Sequence, residues 1–161
     1  MIKEQKDYVT PKQGLILKYN GVFDLKKLYN SSKQWFNAKK YDLSEKEYKE
    51  KPGSLGSEFN IILEAERDID DYTKFVISAH MFLLSIKKIN GKYNGSVKIN
   101  VSAYVLLDRK NKFQSNQFKA FLFFLYNNII IKDKIENVYE DKLYSEVLDF
   151  INNLKKYINI K

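Results

Sequence analysis

The chain has no cysteine, a single histidine and only two prolines among its 161 residues. The missing thiols exclude disulfides, thiolate zinc sites, iron–sulfur clusters and cysteine nucleophiles. With His80 the only imidazole, a histidine-based metal centre would need its other ligands from carboxylates, and a Ser-His-Asp arrangement could be built around that one ring alone. Arginine is nearly as scarce, Arg67 and Arg109 being the only two among 28 basic residues. The opening segment MIKEQKDYVTPKQG has no apolar run between its charges, so neither a signal peptide nor an early membrane span is expected, and the reading is cytoplasmic.

What is present describes a globular chain. Apolar residues make up 44% and charged residues 30%, too apolar for intrinsic disorder. The length fits one domain over residues 1–161, able to bury roughly 70% of its unfolded surface, with residues 1–13 expected as a frayed tail. A net charge of +8 would raise nucleic acid as a partner. Yet Lys, Asn, Ile and Tyr fill 69 of the 161 positions, and all four have A/T-rich codons, so genome composition accounts for the lysine. Phosphate recognition also favours the planar fork of Arg. A nucleic-acid or ribosome-associated role is therefore possible but disfavoured.

Along the chain, Leu15–Tyr19 reads as a short strand closed by the turn dipeptide Asn20-Gly21. Asp24 follows as an N-cap, and Leu25, Leu28, Tyr29, Ser32, Trp35 and Phe36 then recur at helical spacing, predicting an N-terminal amphipathic helix. The charged stretch Tyr41–Lys51 predicts an edge strand, and Pro52–Ser57 a loop. Three stretches of period two predict antiparallel strands: Glu58–Glu66, Phe75–Leu84 with both faces partly apolar, and Ser96–Asp108. Asp68–Asp71 makes one tight connection, and Asn90-Gly91 with Asn94-Gly95 brackets the other. Beyond them Phe118–Ile131 is apolar all round, and Ile135, Val138, Leu143, Val147, Ile151, Leu154 and Ile158 mark one face of a long helix. The fold class is α+β, a curved antiparallel sheet of about five strands with helices packed on one face.

Few residues suggest chemistry. His80 could act as a general base if strand parity brought Glu64 or Glu66 beside it, but no nucleophile motif or phosphate loop accompanies it. Glu64, Glu66, Asp68, Asp70 and Asp71 form an acidic cluster whose spacing does not match an EF-hand loop; a solvated turn accounts for it, and no metal or cofactor is expected. The apolar stretch is more informative. At fourteen residues it spans about 21 Å as a helix, short of the ~30 Å hydrocarbon layer, so it predicts no membrane span. It is expected either as a core helix or as one wall of an apolar groove or cavity lined by Phe121, Phe124, Tyr126 and Ile129, with Trp35 and Tyr104 as further candidates.

The order strand, amphipathic helix, antiparallel strands and long C-terminal helix resembles the helix-grip (START-like) plan. That plan implies a curved sheet wrapped on the last helix with an apolar cavity between. Gly21-Val22-Phe23-Asp24, Glu64-Ala65-Glu66-Arg67, Asp70-Asp71-Tyr72-Thr73-Lys74-Phe75 and Tyr139-Glu140-Asp141-Lys142-Leu143-Tyr144 also look like segments of an uncharacterised archaeal family of small α+β proteins. This resemblance implies a fold and transfers no catalytic residue. The expected function is a non-catalytic binding or assembly module for a hydrophobic small molecule or a protein partner. A nucleic-acid-associated protein and an enzyme centred on His80 are the alternatives.

Overall fold

Strand alternation is what organises the molecule. The structure, a computed structural model, describes residues 5–107, 117–126 and 135–158. Its elements are β1 Gln5–Tyr8, β2 Leu15–Phe23, α1 Leu25–Ala38, β3 Asp42–Lys51, β4 Ser57–Asp68, β5 Thr73–Ile89, β6 Lys92–Leu107, α2 Gln117–Leu125, a π-helical stretch Ile135–Glu140, and α3 Asp141–Lys155. The six strands form one open antiparallel sheet. From β3 to β6 it is a meander, each strand pairing with the next, and β1 and β2 both lie on the free side of β6.

Odd-numbered residues of β4, β5 and β6 share one face. Phe59, Ile61, Leu63 and Ala65, then Phe75, Ile77, Ala79, Met81 and Leu83, then Val97, Ile99, Val101, Ala103, Val105 and Leu107 are all buried there. Against them pack Leu25, Leu28, Trp35 and Phe36 of α1 and Leu143, Val147, Phe150, Ile151 and Leu154 of α3, in one hydrophobic cluster. The expected i, i+3, i+4 face of each helix is the face that is buried. Asp24 caps α1 as expected, its Oδ1 accepting from the Lys27 amide at 2.9 Å. The even-numbered face carries no part of this cluster apart from its edges, and its residues are mostly half-buried or exposed.

Several expectations are corrected. The amphipathic helix follows two strands where one was expected before it, and α1 crosses from the β2 edge to the β3 edge. The sheet has six strands because Gln5–Tyr8, expected within a frayed tail, pairs with Tyr104–Leu107. The reason is length. Strand β6 runs 16 residues while β2 covers only Tyr93–Val101, leaving a free ladder edge that β1 fills.

Of the three Asn-Gly dipeptides, only Asn90-Gly91 makes a turn, with φ of 48° and 77° as a two-residue hairpin requires. Asn20-Gly21 continues β2, where Gly21 lies opposite Gly95. Asn94-Gly95 is inside β6, facing the irregularity between Leu84 and Lys87. A Cβ on Gly95 would lie 2.6 Å from Ile86 Cδ1 and 2.8 Å from the Leu84 carbonyl, so glycine there permits close approach rather than a bend.

One polar cluster ties the layers together. Arg67 of β4 donates to the Lys39 carbonyl and to Glu146 Oε1 of α3, both at 2.8 Å. The Tyr41 hydroxyl donates to Glu146 Oε2 at 2.6 Å, and the Arg67 guanidinium lies 4.5 Å from the Tyr41 ring centroid. Burial, reinforced by the bonded Glu146 carboxylate and only partly offset by Arg67, pushes the Tyr41 hydroxyl pKa far up.

Candidate functional site

The candidate groove residues are distributed over three places. Phe121 and Phe124 project from α2, 56% and 60% exposed, and Phe118, which sequence reasoning left out of the groove, is 68% exposed beside them. Tyr126 follows α2 and meets the Tyr72 ring edge-on at 5.3 Å, fixing that end of the helix to the β4–β5 connection. Ile129 lies outside the described residues. Trp35 is in the core, stacked on Tyr41 and packed against Phe36 edge-on and Phe150 at a tilt, its Nε1 donating to Asp149 at 2.9 Å. Tyr104 is on the opposite, even-numbered face of β6, against Tyr8 at 5.3 Å and under the Lys6 ammonium at 4.7 Å. Phe121 and Phe124 share a surface; Trp35 and Tyr104 are on opposite sides of the sheet from one another.

His80 also lies on the even-numbered face, as do Glu64 and Glu66, so the parity that would join them is met. The bonds go elsewhere. Glu64 pairs with Lys46 at 3.4 Å and Glu66 with Lys74 at 2.5 Å. His80 Nε2 is 2.5 Å from Asn60 Oδ1, and Asn60 Nδ2 donates to Glu47 at 2.6 Å. Because the carboxylate orients the amide, Asn60 presents its carbonyl to His80, and the ring is the Nε2–H tautomer. Partial burial lowers the imidazole pKa, the Glu47 charge opposes this and the Lys98 charge adds to it. The ring also packs 3.8 Å from the Phe82 centroid. Among the described residues no nucleophile is bonded to it, so the arrangement holds a neutral ring in place and supplies no reacting partner.

The acidic turn is bonded internally. Asp70 Oδ1 accepts from the Tyr72 and Thr73 amides at 2.9 and 2.7 Å, and Oδ2 accepts from the Tyr139 hydroxyl at 2.6 Å. Burial raises its pKa most strongly as a single influence, but these bonds together outweigh burial and hold the carboxyl below its ordinary value. Among the described residues no group of three or more His, Asp or Glu is placed to hold a metal ion.

Beside His80 the even-numbered face carries a feature that sequence reasoning missed. Lys18, Tyr19, Asn20, Phe82, Leu84, Ser96, Val97 and Lys98 line an open groove of about 380 Å³. A second concavity of about 340 Å³, lined by Lys40, Asp42, Glu66, Arg67, Asp68 and Lys74, has charges of both signs that compensate one another. The first has lysines and no acid in its lining. Period two within β2 and β6 does place Lys18 and Lys98 on outward faces; no signal in the sequence says that the two strands are neighbours.

In comparison with known proteins, no family model and no curated protein matches the chain. Among the described residues no helix is long and apolar enough to cross a membrane.

Proposed function

We propose that the protein is a non-catalytic binding module that docks an apolar partner surface through α2. One observation carries this: Phe118, Phe121 and Phe124 stand 68%, 56% and 60% exposed at successive three-residue spacings on a nine-residue helix, so they form one stripe. With Leu122, also exposed, they present roughly 400 Å² of apolar surface, at the scale of the largest patch on an ordinary monomer. Covering it would release about 10 kcal/mol gross, comparable with the ~4–15 kcal/mol lost on association. The stripe by itself suits weak, reversible docking, and a partner reaching beyond it binds more tightly.

The connectivity supports a helix-grip plan: β1 and β2 flank β6, α1 crosses to the far edge, and α3 lies on the same face. In that plan a cavity between sheet and last helix would hold a ligand. Here Phe36, Phe75, Met81 and Phe150 fill that layer, each with no exposed surface, which favours a binding surface outside it.

Sedimentation equilibrium and titration with an uncharged apolar dye, on wild type and on Phe121→Ser and Phe124→Ser, test the reading. Wild type is expected to self-associate weakly or to bind the dye, and each variant to lose that behaviour with its folding intact. A monomeric wild type that leaves the dye unbound, or variants that behave as wild type does, would refute it.

A further inference from the structure

The outward face of the sheet carries a small ordered grid. Lys18 of β2, Lys98 of β6 and Phe82 of β5 are direct neighbours across the ladder, and Asn20, Ser96 and Leu84 are neighbours in the adjacent row. Each row reads polar, polar, apolar. Phe82 and Leu84 are 37% and 49% exposed, and the six residues line the groove of about 380 Å³.

Two features set this patch apart from an ordinary solvated face. Cross-strand partners of like charge repel, and in a ladder the opposed Cβ atoms are roughly 5 Å apart. Among the described residues neither Lys18 nor Lys98 has an ion-pair partner, and no acidic side chain lines the groove between them. The two largest exposed apolar side chains of β5's outward face sit in the same grid, and both keep exposed surface even though the His80 ring packs on Phe82. An anion placed between the ammonium groups would remove the repulsion, and an apolar body attached to it would lie over Phe82 and Leu84.

We propose that this groove is a binding site for a small organic monoanion with an apolar body, of the aryl- or alkyl-carboxylate class, whose head lies between Lys18 and Lys98 and whose body covers Phe82 and Leu84. Lysine suits this ligand: two mobile ammonium groups accept a carboxylate from either side and do not demand the fixed fork geometry of Arg. Asn20 and Ser96 supply neutral hydrogen-bonding groups along the rim. The volume falls within the usual range for small-molecule sites, roughly 300–1,000 Å³. The site is independent of α2 and stands or falls apart from the docking surface there.

His80 provides an internal reporter. Its ring touches Phe82, Glu47 from β3 and Lys98 from β6 are the charges acting on it, and Lys98 disfavours its protonated form. Replacing Lys98 by Met removes a charge that disfavours the protonated ring and so works to raise the imidazole pKa, while an apolar body laid over Phe82 adds burial and works to lower it.

The experiment is an NMR titration of the full chain with 1-naphthoate, with naphthalene-1-methanol as the uncharged control, on wild type and on Lys18→Met, Lys98→Met and the double variant. Naphthoate is expected to shift the amides of residues 18–20, 82–84 and 96–98 and to perturb the His80 ring resonances on saturation. Affinity should fall about tenfold in the double variant, the scale of two partly exposed charge contacts, and the control should bind no better than that variant binds naphthoate. Absence of shifts at these positions in wild type, shifts confined to α2, or equal binding of the uncharged control would each overturn the proposal. So would an oligonucleotide that shifts these amides where naphthoate does not, which would return the face to the nucleic-acid reading.

Discussion

Replacing Arg67 by Met tests whether the polar cluster under α3 holds the layers together. Arg67 and Glu146 have side chains only 17% and 13% exposed and meet at 2.8 Å. The substitution keeps much of the aliphatic stem but removes the bond to the Lys39 carbonyl, the charge over the Tyr41 and Phe75 rings, and the partner of the Glu146 carboxylate. Breaking one side of a fully buried pair costs about 3–5 kcal/mol. The residual exposure admits some water, which places Arg67→Met near the bottom of that range, about 3 kcal/mol.

Urea unfolding reads this directly. With an m-value of about 2 kcal/mol/M for a chain of this size, the midpoint should drop by about 1.5 M with m unchanged. Glu146→Gln retains an acceptor for Tyr41, so its cost comes mainly from stranding the guanidinium. The double variant, lacking both charges, should be less destabilised than the sum of the single variants by about 2 kcal/mol. Refutation would be an Arg67→Met variant within about 1 kcal/mol of wild type with additive doubles, the behaviour of surface ion pairs. The cluster would then be a solvated decoration of the edge of the core.

Leu154→Ala and Val101→Ala, both in side chains with no exposed surface, should destabilise by about 3 and about 2 kcal/mol through cavity formation; urea midpoints within about 0.5 kcal/mol of wild type would mean that the face assignments of α3 and β6 are wrong. Alkaline pH should unfold the protein in part through Tyr41. Its pKa is raised in the folded state, so its contribution is fully present below the unfolded value near ~10 and is lost as pH rises above it, by up to about 1.4 kcal/mol per pH unit. Stability measured from pH 9 to 11 should fall less steeply in Tyr41→Phe, and identical slopes would count against the assignment.

Much of the fold was legible because its strands are one-sided. The alternation in Phe59–Ala65 and Val97–Leu107 identifies the buried face residue by residue, and the three- and four-residue spacing of apolar groups in α1 and α3 identifies theirs. Val138, assigned to the α3 face, is instead 52% exposed, because the chain before Asp141 is π-helical and no longer keeps a 3.6-residue period. Asn-Gly was the other ambiguous signal. The dipeptide fits a type I′ hairpin, but glycine serves equally where two backbones approach, and the sequence does not distinguish Asn90-Gly91 from Asn94-Gly95.

The candidate site was less legible for a different physical reason. Amphipathic patterning tells which side of each element turns to the core, as it did for Trp35, but says nothing about which outward residues become neighbours. Lys18 and Lys98 are eighty positions apart, and they face each other only because α1 carries the chain across the sheet and leaves β2 beside the last strand. The chain's lysine-rich composition accounts for their number and not for their placement. Whether the pair carries a function therefore depends on the register between β2 and β6, where a shift of one residue would turn Lys18 to the core side and dismantle the groove.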